Sequence, residues 1–202
     1  MVKEEELLRA TEEIQNLTYR QGEYKIFKVF EPKERLIMAL PFYDRVVQHM
    51  ICNAIQPVFE NGFYYHSYAC RSGKGMHAAS DTLYQWMYET EVKQGLRMYA
   101  FKGDISKYFA SIPHDKLKNE NRRYIGDKKA LMLMDDIIDH NGILPDGVGI
   151  PVGNLTSQLF ANVYGNKLDK FCKHVLHIPY FVRYMDCLLY TSDAADEARS
   201  VD

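Results

Sequence analysis

The stretch Tyr99 to Ile112, YAFKGDISKYFASI, most constrains what this chain can fold into, because it ends an apolar strand on a carboxylate and passes straight into a turn. Tyr99, Phe101 and Gly103 alternate with Ala100 and Lys102, the two-residue period of a half-buried strand. An acid at the mouth of such a strand is costly unless something positive sits beside it, and a divalent metal ion would serve. A lone Asp more often does no more than cap the following turn, but Asp104 is not alone. Tyr180 to Asp186, YFVRYMD, is a second aromatic and β-branched run that ends in a carboxylate. Two strands that each deliver one Asp at the same end give the geometry of two-metal phosphoryl transfer, in which ions about 3.5 to 4 Å apart activate the attacking oxygen and stabilise the leaving one.

Two further stretches carry chemistry. Phe63 to Ala79 places glycines, Arg71 and Lys74 immediately before a helical run, a setting whose backbone and cations could hold a triphosphate. It is not a P-loop, since GxxxxGK[ST] is absent, and taken by itself it is a basic loop. Gly147 to Asp169 is a glycine-rich loop followed by a helix. Gly147, Gly149 and Gly153 allow close approach of a backbone to a ligand, Asn154 suits a helix cap, and Leu155, Leu159, Val163 and Leu168 form the buried stripe.

DISKYF followed by RYMD resembles palm motifs A and C of the reverse transcriptases, in which motif C reads Tyr-x-Asp-Asp; here Cys187 stands where the second Asp would be. YACRSGKGMH resembles motif 2 of that superfamily and GNLTSQ its motif B. The motifs occur in the family's order from about Phe27 to Asp186. With Gln158 rather than Pro after Ser157, GNLTSQ and SYACRSGKG together are most similar to the reverse transcriptases of diversity-generating retroelements. A group II intron-like or retron-like enzyme is the alternative, and a non-catalytic RNA-binding palm module is a rival of another class.

The resemblance implies an α+β fold: fingers and palm of a right-hand polymerase, an antiparallel palm sheet with Asp104 and Asp186 on adjacent strands, covering helices, and a missing thumb. Residues 1–98 would be fingers with an N-terminal helix and 99–186 palm, with helix 155–175 at their boundary. The implied reaction is RNA-directed DNA synthesis, an error-prone nucleotidyl transfer of deoxynucleoside triphosphates onto a DNA or RNA primer. Asp104, Asp186 and the Ile105 carbonyl would hold two Mg2+ ions. Arg71, with Lys74 as a weaker second, would take phosphate. Phe109 would exclude a ribose 2′-hydroxyl, though core packing is its plain alternative. Gly153 and Gln158 would line the base pair, and Lys33 and Arg35 would touch template phosphates. A small basic accessory protein is the implied partner.

CLLYTSDAADE, Cys187 to Glu197, resembles the translated adapter that transposon-based sequencing libraries leave at fragment ends. Residues 187–202 are accordingly expected to be non-native, the natural gene continuing past Asp186 with a second Asp; a divergent native end is the alternative. Cys187 is a poor magnesium ligand, because hard cations take oxygen donors, so little or no primer extension is expected of this chain.

Charge bears on the nucleic-acid reading. The formal net charge is -2, but residues 187–202 carry -3 of it, leaving residues 1–186 at +1, with basic clusters in Lys25 to Arg45, around Arg71 and Lys74, and in Lys116 to Lys129. A chain of 202 residues that is 47% hydrophobic can bury a core and is not disordered. No run approaches the roughly 18 apolar residues of a membrane span, MVKEEELL is no signal peptide, and a cytoplasmic address follows by default. Cys52, Cys70, Cys172 and Cys187 show no CxxC pair, so reduced thiols are expected, and Cys172, His174 and His177 lack a second ligand cluster for zinc.

The remaining elements follow from periodicity and breakers. Residues 1–19 read as an amphipathic helix before a turn at Gly22. YKIFKVF and RLIMAL read as a hairpin joined by EPKE, residues 41–59 as a helix ended by Pro57, and 78–93 as a helix stopped by Gly95. Pro113 opens a short helix, and 128–140 forms another with Asp135, Asp136 and Asp139 on its outer face.

Overall fold

The computed structural model describes residues 4–30 and 34–193, with side chains through 190. The chain forms two compact units, each assembled from two stretches: Met1–Gly62 with Phe109–Val163, and Phe63–Tyr108 with Tyr164–Asp202. The fingers and palm boundaries expected above divide the chain by motif rather than by compactness.

In the first unit, α1 (Glu4–Gln15) precedes a hairpin of β1 (Lys25–Phe30) and β2 (Glu34–Ala39), antiparallel from Lys25 opposite Ala39 to Phe30 opposite Glu34. The expected turn residues 31–33, Lys33 among them, lie outside the described residues. The following helix, α2 (Phe42–Glu60), corrects one expectation: Pro57 lies inside it and does not end it. Proline removes one N–H from the helical ladder, while one turn more of helix carries Phe59 to complete burial, its ring 5.4 Å from that of Tyr124. α5 (His114–Asn121) and α6 (Lys128–Asp139) pack together. Asp127 caps α6 by accepting from the Ala130 N–H at 2.8 Å. Two of the outer acids of α6 pair with cations of α5 and its C-cap, Asp139 with Lys118 and Asp135 with Arg122, rather than converging on a metal.

In the second unit, α3 (Met76–Met87) runs into a π-helical segment, Tyr88–Lys93. It closes as expected at Gly95, whose φ of 68° lets the Leu96 N–H reach the Thr90 carbonyl at 3.1 Å. Tyr68 and Ala79 pack with Val182 in a small core that Leu83 and Trp86 flank. The sheet has three antiparallel strands, β3 (Met98–Asp104), β4 (Tyr180–Tyr184) and β5 (Cys187–Asp193), in the order β3-β5-β4. The strands leading to Asp104 and Asp186 are therefore not neighbours, a second correction. Cys187–Asp193, from the stretch resembling an adapter, lies between them, and its Tyr190 and Thr191 are of the aromatic and β-branched types that strands favour.

The unit boundary falls inside both α4 (Tyr108–Ser111) and α7 (Leu155–His174). In α7, Leu159 and Val163 are buried as expected, Leu155 is exposed, and a second buried row is polar: Asn162, Asn166 and Asp169. Among the described residues no helix is long and apolar enough to cross a membrane.

Candidate active site

Asp104 ends β3 and pairs with Cys187, the first residue of β5. Asp186 is the second residue of the turn between β4 and β5, where Tyr184 pairs with Cys187. The Ile105 N–H donates to the Asp186 carbonyl at 3.0 Å, so the residue after one acid is bonded to the backbone of the other. The two acids thus reach the same end of the sheet without adjacent strands, because the turn brings Asp186 round to β3. Asp104 is exposed and Asp186 half-buried, which leaves carboxylate oxygens open to a ligand. Met185 before it is buried and holds a φ of 57°, a left-handed conformation that non-glycine residues adopt at a cost.

Arg71 and Lys74 lie in the same unit. One Arg71 nitrogen donates to the carbonyls of Tyr64 at 2.8 Å and Ser67 at 2.7 Å, and the guanidinium lies 5.3 Å from the centre of the Phe63 ring. The Lys74 ammonium donates to the Tyr65 carbonyl at 3.0 Å and sits 3.4 Å over the Tyr65 ring. Both cations therefore brace their own loop. His66 in that loop meets Trp86 edge-on at 4.7 Å, and its imidazolium is disfavoured, with the pKa pushed down to about 4 by burial first and then by Lys74 and Lys173.

Phe109, Gly153, Gln158 and Arg35 belong to the other unit. The Phe109 carbonyl accepts from the Ile150 N–H at 2.9 Å, which ties the half-buried phenylalanine to the glycine loop before α7. Gly153 has a φ of 121°, and a Cβ there would stand 3.0 Å from the Met38 carbonyl oxygen. The Met38 N–H in turn donates to Val152 at 3.1 Å. Asn154, buried, donates its side-chain amide to the Tyr24 hydroxyl at 2.7 Å. Gln158 is half-buried on the first turns of α7, and Arg35 is exposed on β2.

Sequence reasoning passed over the most buried charges among the described residues. Arg183, 1% exposed, forms a two-pronged ion pair with Asp169, 0% exposed: Nε to Oδ1 at 2.7 Å and Nη2 to Oδ2 at 2.8 Å. Burial drives the Asp169 carboxyl up and the adjacent Arg183 charge opposes it. The signal was present, as an arginine inside an apolar strand and as Asn162, Asn166 and Asp169 recurring on one face of a helix. His114, also passed over, sits with Nε2 2.7 Å from the Gly149 carbonyl and Nδ1 3.2 Å from Asp139.

Among the described residues no three His, Cys, Asp or Glu side chains gather into a metal-holding group, and Cys172, His174 and His177 form none. Asp104 and Asp186 are two oxygen donors of the kind hard divalent ions take, with the softer Cys187 next to Asp186 in sequence and opposite Asp104 in register.

Protein YkfC of Escherichia coli is 28% identical over 134 residues, 63% of this chain and 34% of that protein. An uncharacterised 91 kDa protein in the cob intron of Schizosaccharomyces pombe is 29% identical over 137 residues, 65% of this chain and 16% of its own length. The structure of apo telomerase from Candida tropicalis, truncated from its C-terminal domain, superposes with a TM-score of 0.61 at 12% identity, over 97% of this chain and 50% of that one. Telomerase from Candida albicans, solved with a fragment of telomeric RNA, gives 0.61 at 10% identity over 92% of this chain and 40% of its own. The chain thus spans half or less of the length of each of these proteins. The sheet end that gathers Asp104 and Asp186 falls within residues 28–201, which match the family described as reverse transcriptase (RNA-dependent DNA polymerase), and it is to this family that the chain belongs.

Proposed function

We propose that the chain is the fingers and palm portion of an RNA-directed DNA polymerase, joining deoxynucleotides to a DNA or RNA primer on an RNA template. The reaction is attack of the primer 3′-hydroxyl on the α-phosphorus of the triphosphate, with pyrophosphate leaving. The observation that carries this reading is the pairing of Asp104 with Cys187 and the Ile105 to Asp186 hydrogen bond, which together set two acids at one end of the sheet.

Asp104, Asp186 and the Ile105 carbonyl would hold two Mg2+ ions, which supply charge neutralisation at the attacking and leaving oxygens. Arg71, helped by Lys74, takes the triphosphate once its loop carbonyls yield a donor to it. Phe109 discriminates the sugar, Gly153 and Gln158 line the templating pair, and Lys33 and Arg35 hold template phosphate, contacts that position without reading sequence. A small basic protein is the accessory partner and the cytoplasm the proposed address.

Gln158 after Ser157 supports the diversity-generating type of retroelement, and an error-prone enzyme with it. An intron-encoded type is the second reading, favoured by relatives whose names place them in cob and COX1 introns. The test is titration of a deoxynucleoside triphosphate with and without Mg2+. Metal-dependent binding that Asp104→Asn abolishes supports the polymerase; RNA binding indifferent to that change, with no triphosphate binding, identifies a palm-shaped RNA-binding module instead.

A further inference from the structure

We infer that Arg183 is a positioning residue that locks the turn carrying Asp186 to the loop carrying Arg71, so that the metal-binding and phosphate-binding elements of the second unit hold one fixed geometry. It rests on the assignment of Asp104 and Asp186 as the metal-binding pair.

The guanidinium has five N–H donors in a rigid fork, and its bonds radiate to three separate elements. Nε and Nη2 grip the Asp169 carboxylate on α7. Nη1 donates to the Met185 carbonyl at 3.0 Å, which is the peptide group leading into Asp186. Nη2 also donates to the Ser67 hydroxyl at 3.0 Å, and the Ser67 carbonyl is the acceptor that holds Arg71. The backbones repeat the link, since the Arg183 N–H donates to His66 at 3.1 Å and the Tyr68 N–H to Arg183 at 2.9 Å, a parallel bridge between Ser67 and Arg183.

The surroundings are built around this group. At Gly165 a Cβ would stand 2.8 Å from Arg183 Cζ and Nη1 and 2.7 Å from the Tyr108 hydroxyl, so α7 needs a glycine where the guanidinium passes. A buried ion pair adds little net stability over an apolar pair of the same size, because desolvation offsets the attraction. What this pair contributes is direction. It fixes the left-handed Met185 through its carbonyl, and with it the backbone on which Asp186 is mounted. Lysine at 183 would keep the charge but could not span Asp169, Ser67 and Met185 at once.

Two measurements on the full chain test this: amide hydrogen exchange read by mass spectrometry, and Mn2+ binding read by electron paramagnetic resonance. In Arg183→Lys, exchange should accelerate by about tenfold or more in both the Met185 to Cys187 turn and the Tyr64 to Arg71 loop, with α6 unchanged. Mn2+ affinity should fall about 10- to 100-fold, as when the group that orients a ligand is lost. Ser67→Ala, which leaves the ion pair intact, should loosen the same two segments to a smaller degree, and it decides the matter if the lysine variant fails to fold. Acceleration spread evenly over the chain, or confined to one of the two segments, overturns the positioning role. So does unchanged Mn2+ affinity in a variant that folds. Failure of the unaltered chain to bind Mn2+, or binding that survives Asp186→Asn, instead overturns the metal-site assignment, and the positioning role falls with it.

Discussion

Asp104 faces Cys187 directly across the β3–β5 ladder, one residue beyond Asp186. A half-buried thiol therefore stands opposite one acid and next in sequence to the other. Adding a carboxylate to a hard-cation site raises its ligand charge and tightens it. Cys187→Asp is expected to strengthen Mg2+ binding about tenfold or more and to convert little or no primer extension into measurable extension. Calorimetric titration and a single-nucleotide extension assay check this; equal affinity and equal extension in the two chains would refute it.

Phe109 shares its unit with the glycine loop and is bonded to it through Ile150. In the extension-competent Cys187→Asp background, Phe109→Ala should raise ribonucleotide use relative to deoxynucleotide use by about 10-fold or more, the scale a steric pocket edge supplies. Competition between the two nucleotide classes measures it. A variant that loses stability but keeps its discrimination would reduce Phe109 to a packing residue.

Gly153 and Gly73 separate two reasons for glycine. At Gly153 the φ of 121° and the Met38 oxygen 3.0 Å from a Cβ act together, whereas Gly73, with a φ of 68°, has nothing within 4 Å of a Cβ. Gly153→Ala should cost about 1 to 3 kcal/mol and lower the melting temperature by several degrees. Gly73→Ala should cost about 1 kcal/mol, the backbone contribution alone. Thermal unfolding of the two variants tests the order.

His66 makes stability depend on pH. Its pKa of about 4 in the folded chain lies below the ordinary 6.5, so the unfolded state binds the proton more readily. Its contribution is fully present above pH 6.5 and is lost as pH falls from there toward 4. Since the ring is half-exposed, solvent screening limits the effect to a few degrees in melting temperature. His66→Asn should flatten the thermal profile across that window, and an unchanged slope would show that other groups set it.

Periodicity and turn chemistry made much of the architecture legible. The β1–β2 hairpin, α6 and α7 follow from alternation, an amphipathic pattern with an acidic outer face and a 3.6-residue stripe, and Gly95 stops the π-helical segment as its position suggests. Proline at 57 misled because local propensity was overridden by the burial of Phe59. The strand order escaped because a stretch resembling adapter sequence was given no structural role, although Leu188 to Thr191 has ordinary strand chemistry. In the candidate site, the acids and the glycines could be read from motif spacing. For Arg183 and Asp169 the residue pattern carried a signal, but their pairing did not show in it, because it depends on a partner fourteen residues away in another element.

β5 is paired along both of its edges, with β3 on one side and β4 on the other. During synthesis on the ribosome, β3 must therefore wait, unpaired in this sheet, while α4 through α7 and β4 emerge. Such delayed, long-range closure exposes an unsatisfied strand and favours misassociation of nascent chains. Production at low temperature, or with a holdase present, is the condition under which this sheet has time to close on itself.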